Sequence, residues 1–317
     1  MPIPESDRGR SGEVGGEVRA AAANNIKNDR QSDQALRHGT RYRLREFWAF
    51  FSQDFWAVVG LAVLVIVITA ALAAPLIAPY GPIEPNFSEA RQPPGLAHLL
   101  GTDVAGMDVF SRLVYGSRVS LAVAAVAVLI STTLGASIGL ASGYYGGWID
   151  AVLQRLTEVF ASFPTLMLMI ALAAVLGPST QNAMIIIGVF AWTPLSRLMR
   201  GQALSLRERD FIIAAEVIGC KERRIISRHI LVNTVGLLVV NAVYGIRSAI
   251  LAEASLSFLG VGVPQPTPSW GSMVNFATNI AYLQLMPWAW APSAIILIAV
   301  IASIGFVGDG LARALRR

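Results

Sequence analysis

LSLRERDFIIAAEVIGCKERRIISRHILVN, Leu204 to Asn233, is a basic, sharply punctuated island between long apolar runs. Ala214, Ala215 and Gly219 define a tight corner inside it. Asp210 is expected to cap the helix before that corner, because its carboxylate can accept from the free amides of a first turn. Gly219 suits the left-handed position that ends a helix, since it carries no Cβ to clash there. A second helix is expected to begin near Lys221, with Ile225, Ile226, His229 and Ile230 on one side and Arg224, Ser227 and Arg228 on the other. This spacing suits a docking element for a partner, a basic loop packed on its own spans, or a helix lying on a membrane surface.

The chain on either side of the island reads as membrane. Apolar residues make up 54% of the sequence and charged residues only 14%, against about 25% charged in ordinary globular proteins. Mean hydropathy is +0.56, and apolar runs of about 20 residues, enough to cross a bilayer as a helix, recur along the chain. Six spans are expected: Ala57–Ala78, Val119–Ser142, Leu156–Leu176, Ala183–Met199, Val235–Leu256 and Ala289–Val307. The fourth carries Pro194 and should kink there. The fold class is therefore all-α, a polytopic membrane protein of residues 46–317, with the basic loop 201–234 between spans four and five. Residues 1–45 are polar, lack an apolar period and lack a cleavable signal, so they are expected to form a disordered tail.

Lys and Arg fix the expected orientation. Nine of the 25 precede residue 46, and eight lie in Arg197–Arg228, whereas Val261–Trp288 has no charged residue. Three Arg between Tyr80 and Arg118 are offset by Glu84, Glu89, Asp103 and Asp108. Six spans with both termini in the cytoplasm satisfy these counts, leaving the 80–118 and 261–288 loops outside. The formal charge of +5 does not point to nucleic acid, because the basic residues flank apolar segments and no groove-reading motif accompanies them.

Chemistry is sparse. A Walker A loop needs Lys directly after Gly, and the only lysines are Lys27, after Ile26, and Lys221, after Cys220. His38, His98 and His229 lie far apart, so no metal site and no catalytic residue is expected. Glu253 and Arg247 are the ionisable residues of the fifth candidate span; such groups face a cavity, another helix or a partner charge. Six residues apart on a helix, they do not face each other. Glu253 could line a pathway or hold subunits together. Asp103, Asp108 and Arg112 form a polar outward cluster that would brace an external mouth, meet a delivery protein or simply be solvated. Trp270, in PSWG, is expected to anchor a loop at the headgroup level.

AAEVIG, followed by Ile225 and RHILVN, resembles the cytoplasmic "EAA" loop of ABC-importer permeases. The strings HLLGTDVAGMDVFSRLVYGSRVSL, ASGYYGGWID, RGQALSLRERDFIIAA, ILAEASLSFLGVG, PSWG and FVGDGL follow in that family's order. Together they resemble the C-type permease of its dipeptide/oligopeptide/nickel branch. Two positions depart from the pattern: Val232 stands where Pro is usual, and Met107 where Arg is common. The resemblance implies a type I ABC-importer permease fold in a bacterial plasma (inner) membrane. It implies a coupling loop carrying Ala214, Ala215, Gly219, Ile225, Arg228, His229 and Asn233. Implied partners are a homologous permease subunit, two cytoplasmic ABC ATPase subunits and an extracytoplasmic solute-binding protein. ATP and Mg would belong to the ATPases, with no cofactor on this chain. Peptides, glutathione and nickel chelates are all compatible cargo. The rivals are an ion-driven secondary carrier, disfavoured by few intramembrane acids and no internal repeat, and a membrane-surface enzyme, disfavoured by the missing constellation of catalytic side chains.

Overall fold

Runs of Ala, Val, Leu and Ile leave helix as the way for these segments to satisfy their backbone groups in hydrocarbon. The computed structural model describes residues 51–315; the tail expected over 1–45 lies outside them. Residues from Asp54 onward form one unit.

Helix α1 (Phe55–Leu72) is capped by Asp54, whose Oδ1 accepts from Ala57 N at 3.4 Å. It breaks at Ala73, and Pro75 then sits in the first turn of the short helix Ala74–Ile77, where its missing N–H costs nothing. Helix α2 (Val109–Tyr145) is 37 residues long, a rise of roughly 55 Å against a hydrocarbon core of about 30 Å. It therefore reaches well beyond the bilayer. Helices α3 (Gly147–Ala161) and α4 (Thr165–Leu176) follow, then α5 (Thr180–Phe190), α6 (Thr193–Arg207) and α7 (Asp210–Val217). Helix α8 (Glu222–Phe258) runs without a break, through a wider π turn at Ile225–Ile230. The stretch after α8 carries α9 (Trp270–Val274) and a short helix Ile280–Leu285, before α10 (Pro287–Leu315) closes the described chain. Among the described residues, five helical stretches are long and apolar enough to cross a membrane, and the α3–α4 pair supplies a sixth if taken as one span.

Three expectations are corrected. The third span is not straight: α3 and α4 meet at 79° across Ser162–Pro164, because a residue before Pro is pushed out of the helical region. The fourth breaks at Ala191–Trp192, not at Pro194, which falls in the first turn of α6. Asp210 is the first residue of α7 and Arg209 the cap; its carboxylate still lies at the positive end of the helix. At Val232, the position that departs from the family pattern, the chain makes no turn. The second loop helix is the first part of α8, and just past the π turn Asn233 Nδ2 donates to His229 O at 2.6 Å.

Helix α2 is the central element, packed against α5, α6 and α8, while α1 packs on α10. Small residues at four-residue spacing make its contact with α6 close. An added Cβ at Gly135 would lie 2.8 Å from Trp192 O, at Gly139 2.7 Å from Met199 Cβ, and at Gly143 2.6 Å from Ala203 Cβ. Two apolar clusters result. One joins α2, α5, α8 and α10 through residues such as Val123, Ile186, Ile250 and Val300. The other joins the ends of α2 and α6 to the Leu204–Asn233 island through Leu140, Met199, Ile212, Ile225 and Ile230.

Candidate functional site

Helix α7 is short, and its apolar residues divide between two sides. Ile212 and Ala215 are buried in the second cluster. Phe211, Ile213, Val217 and Ile218 are exposed, the last two at 82% and 78%. At the end of α7, Gly219 has φ +79°. Gly219 N donates to Glu216 O at 2.9 Å and Cys220 N to Ala215 O at 3.0 Å. These are the paired bonds of a Schellman motif, which close the last turn only when the residue after the cap is left-handed. No atom lies within 4 Å of where a Gly219 Cβ would stand, so the backbone angle, not crowding, calls for glycine.

The expected loop residues separate into two groups. Ala215 and Ile225 are buried, so they hold the corner against α2 and α6. Ala214, Arg228 and Asn233 are exposed and His229 is half-buried. Val217 and Ile218, the most exposed apolar side chains of the corner, were not singled out from the sequence. Alternation within AAEVIG could not distinguish them from core positions, because eight residues give too little helical period.

Polar groups tie the corner to the bundle. Tyr144 at the end of α2 donates to Glu216 Oε1 at 3.1 Å, and the Arg207 guanidinium stands 6.0 Å over the Tyr144 ring. Arg200 on α6 grips Asp150 on α3 with two donors, Nε to Oδ1 at 2.7 Å and Nη2 to Oδ2 at 2.5 Å. Ser142 also donates to Asp150, and Gln154 Nε2 donates to Ser142 Oγ at 3.0 Å. The fork-shaped Arg200 pair is directional as well as attractive, so the ends of α2, α3 and α6 and the loop are bonded to one another.

The residues expected at the outward face are enclosed. Arg112 is fully buried. Its Nη1 donates to Pro82 O at 3.0 Å and Pro266 O at 3.2 Å, its Nη2 donates to Gln265 Oε1 at 3.3 Å, and Asp103 Oδ2 lies 3.5 Å from its Nε. Asp103 Oδ1 accepts from the amides of Ala105 and Met107, and Asp108 caps α2, accepting from Ser111 N at 2.7 Å. His98 Nδ1 lies 2.9 Å from Asp108 Oδ1. The cluster is thus a buried clamp joining the loop before α2 to the loop after α8, not a solvated one. Trp270 is likewise buried, its Nε1 donating to Ser117 Oγ at 3.0 Å, and it anchors its loop on α2.

Glu253 is fully buried, and its carboxylate accepts from Ser120 Oγ at 2.8 Å and Ser257 Oγ at 2.7 Å. In this structure it faces neither a cavity nor an open surface. Arg247, on the same helix, is exposed. Among the described residues, no three His, Cys, Asp or Glu side chains gather as metal ligands.

Residues 131–317 match the family described as the binding-protein-dependent transport system inner membrane component, and residues 43–94 match the N-terminal TM domain of oligopeptide transport permease C. The chain belongs to the first of these families. This permease is 39% identical over 86% of its length to the dipeptide transport system permease protein DppC of Alkalihalophilus pseudofirmus, covering 88% of that protein. It is 36% identical to DppC of Haemophilus influenzae over 90% of this chain and 98% of that one. The oligopeptide transport system permease protein OppC of Mycobacterium bovis is 35% identical, with 84% and 91% covered. Among solved structures, an inward-facing MetNI methionine ABC transporter superposes with a TM-score of 0.51 at 20% identity, over 65% of this chain and 97% of that one. The permease therefore has the ABC-importer transmembrane fold, and it serves as a permease subunit of such an importer.

Proposed function

We propose that this chain forms half of a translocation pathway for di- or oligopeptides. Its other half would be a homologous sister permease, with two ATPase subunits docked on the cytoplasmic side and a solute-binding protein delivering cargo outside. ATP and Mg are used by the ATPases, and this chain contributes coupling and pathway in a bacterial inner membrane, with both termini in the cytoplasm. The observation that carries the reading is the corner at Gly219: Val217 and Ile218 project from a short helix whose buried side and polar ties are fixed to α2 and α6. Apolar side chains held out on a rigid corner suit a groove on a partner. ATPase closure would then move the linked ends of α2, α3 and α6. The names of the relatives support peptides as cargo.

Replacing Gly219 by Leu tests this. A left-handed L-residue costs about 1–2 kcal/mol, and a Cβ at this position would meet no atom within 4 Å. Loss of ATP-driven uptake together with weaker co-purification of the ATPases is expected. Uptake that survives without ATP and collapses with a protonophore would instead assign the chain to the ion-driven carriers.

A further inference from the structure

Two helix breaks meet at one cavity. The bend between α3 and α4 places Thr165 and Met169 in the lining of a space of about 520 Å³, and the break between α5 and α6 adds Ala191 and Pro194. Ser131 of α2 and Tyr244 of α8 also line it. The breaks touch: Phe160, just before the first, meets Phe190 at 5.7 Å and Trp192 at 5.6 Å, on either side of the second.

Helix α6 runs from this cavity to the Gly219 corner without interruption. Pro194 lies in its first turn, and Met199 and Ala203 are buried in the same cluster as Ile212 and Ala215 of α7. Its 15 residues rise roughly 22 Å, so a displacement of the corner reaches the α5–α6 side of the cavity through one stiff rod. The α4 side is one bend and one helix further away. Helix α3 lies between, packed on α2 and α6. Its far end rests on rings, which can slide over one another, but its first turn is held by a fork. Arg200 Nε donates to Asp150 Oδ1 at 2.7 Å, and Nη2 to Oδ2 at 2.5 Å. Two parallel charge-assisted bonds fix direction as well as distance. The side chains are only 33% and 18% exposed, so the pair is shielded from the screening that leaves fully exposed pairs with little effect. Asp150 also accepts from Ser142, and its carboxylate is therefore the point where α2, α3 and α6 meet.

We propose that Arg200 is a positioning residue of the transport cycle: its fork on Asp150 makes α3, and α4 beyond the bend, follow α6 when the Gly219 corner moves. Both sides of the cavity then shift in one step. Without the fork, the α5–α6 side still follows the corner and the α4 side does not. This rests on the docking reading above. The test uses the complete importer with its ATPases, in a Cys220→Ser background, and needs no cargo. A water-soluble maleimide labels Thr165→Cys, on the α4 side, or Ala191→Cys, at the α5–α6 break, with and without the non-hydrolysable ATP analogue AMP-PNP. With Arg200 present, nucleotide should change both labelling rates about fivefold or more, the lower end of coupling between linked sites. In Arg200→Ala the change should persist at Ala191→Cys and fall below about twofold at Thr165→Cys. Exchanging the charges, Asp150→Arg with Arg200→Asp, should bring the Thr165→Cys response back. A role confined to stability would weaken both sites alike and would not single out α4.

A Thr165→Cys response that survives Arg200→Ala, loss of the response at both sites in that variant, or a charge exchange no better than Arg200→Ala would overturn the assignment. So would a response confined to one site while Arg200 is present. If Arg200→Ala does not co-purify with the ATPases, Arg200→Lys, which keeps the charge without the fork, takes its place with the same outcomes. No nucleotide response at either site with Arg200 present removes the docking reading and this one together. A response at both sites that is indifferent to Arg200→Ala leaves docking standing and removes Arg200 alone.

Discussion

Each serine bonded to Glu253 also accepts an amide of the stretch between α8 and α10: Ser120 Oγ from Trp270 N at 3.1 Å, and Ser257 Oγ from Val263 N at 3.0 Å. The carboxylate accepts both hydroxyl protons and so leaves both oxygens turned toward those amides. A buried acid that aligns two acceptors is a structural group, and its surroundings are complete within this chain. Glu253→Gln keeps the shape but puts a donor where one serine needs an acceptor. Leaving one such buried group unsatisfied costs about 1–3 kcal/mol, so the purified protein should melt earlier in detergent. Unchanged melting would mean that Trp270 packing alone holds the loop. Because Ser120, Glu253 and Trp270 are far apart in sequence, only the fold reveals that this acid holds the loop through the two serines.

Between elements, the contact of α2 with α6 depends on absent side chains. Gly135, Gly139 and Gly143 bring the two backbones together, as small residues do where lipid supplies no hydrophobic drive between helices. Gly139→Leu should separate α2 from α6 and cost about 1–3 kcal/mol, the usual range for overpacking, read as a lower detergent melting temperature. Gly201→Leu, on α6 with nothing within 4 Å of its Cβ position, should be near neutral in the same measurement. The spans themselves were legible because hydropathy alone demands helix, and Gly219 was legible because only glycine is comfortable at positive φ. The break between α3 and α4 fell inside a segment read as one span, although Pro164 was its signal. The straight passage from loop to α8 hid for a different reason: a π turn has no sequence period of its own.

At the scale of the whole molecule, charge asymmetry is the physical basis for orientation. The basic corner with Arg207, Arg209, Lys221, Arg223 and Arg224 lies at one end of α2 and α6, and the uncharged stretch Val261–Trp288 joins the opposite ends of α8 and α10. Short basic loops are retained in the cytoplasm during insertion, so the Gly219 corner should meet the ATPases and the buried Arg112 clamp should face the binding protein. Asn279 and Arg223 are exposed positions in these two regions. In intact cells a membrane-impermeant maleimide should label Asn279→Cys but not Arg223→Cys, which should react only after permeabilisation. Cys220, half-buried beside the corner, gives the inside reference in the unsubstituted protein. Labelling of Arg223→Cys from outside would invert the molecule. The Gly219 corner could then not reach a cytoplasmic ATPase, and the coupling reading would fall with the orientation.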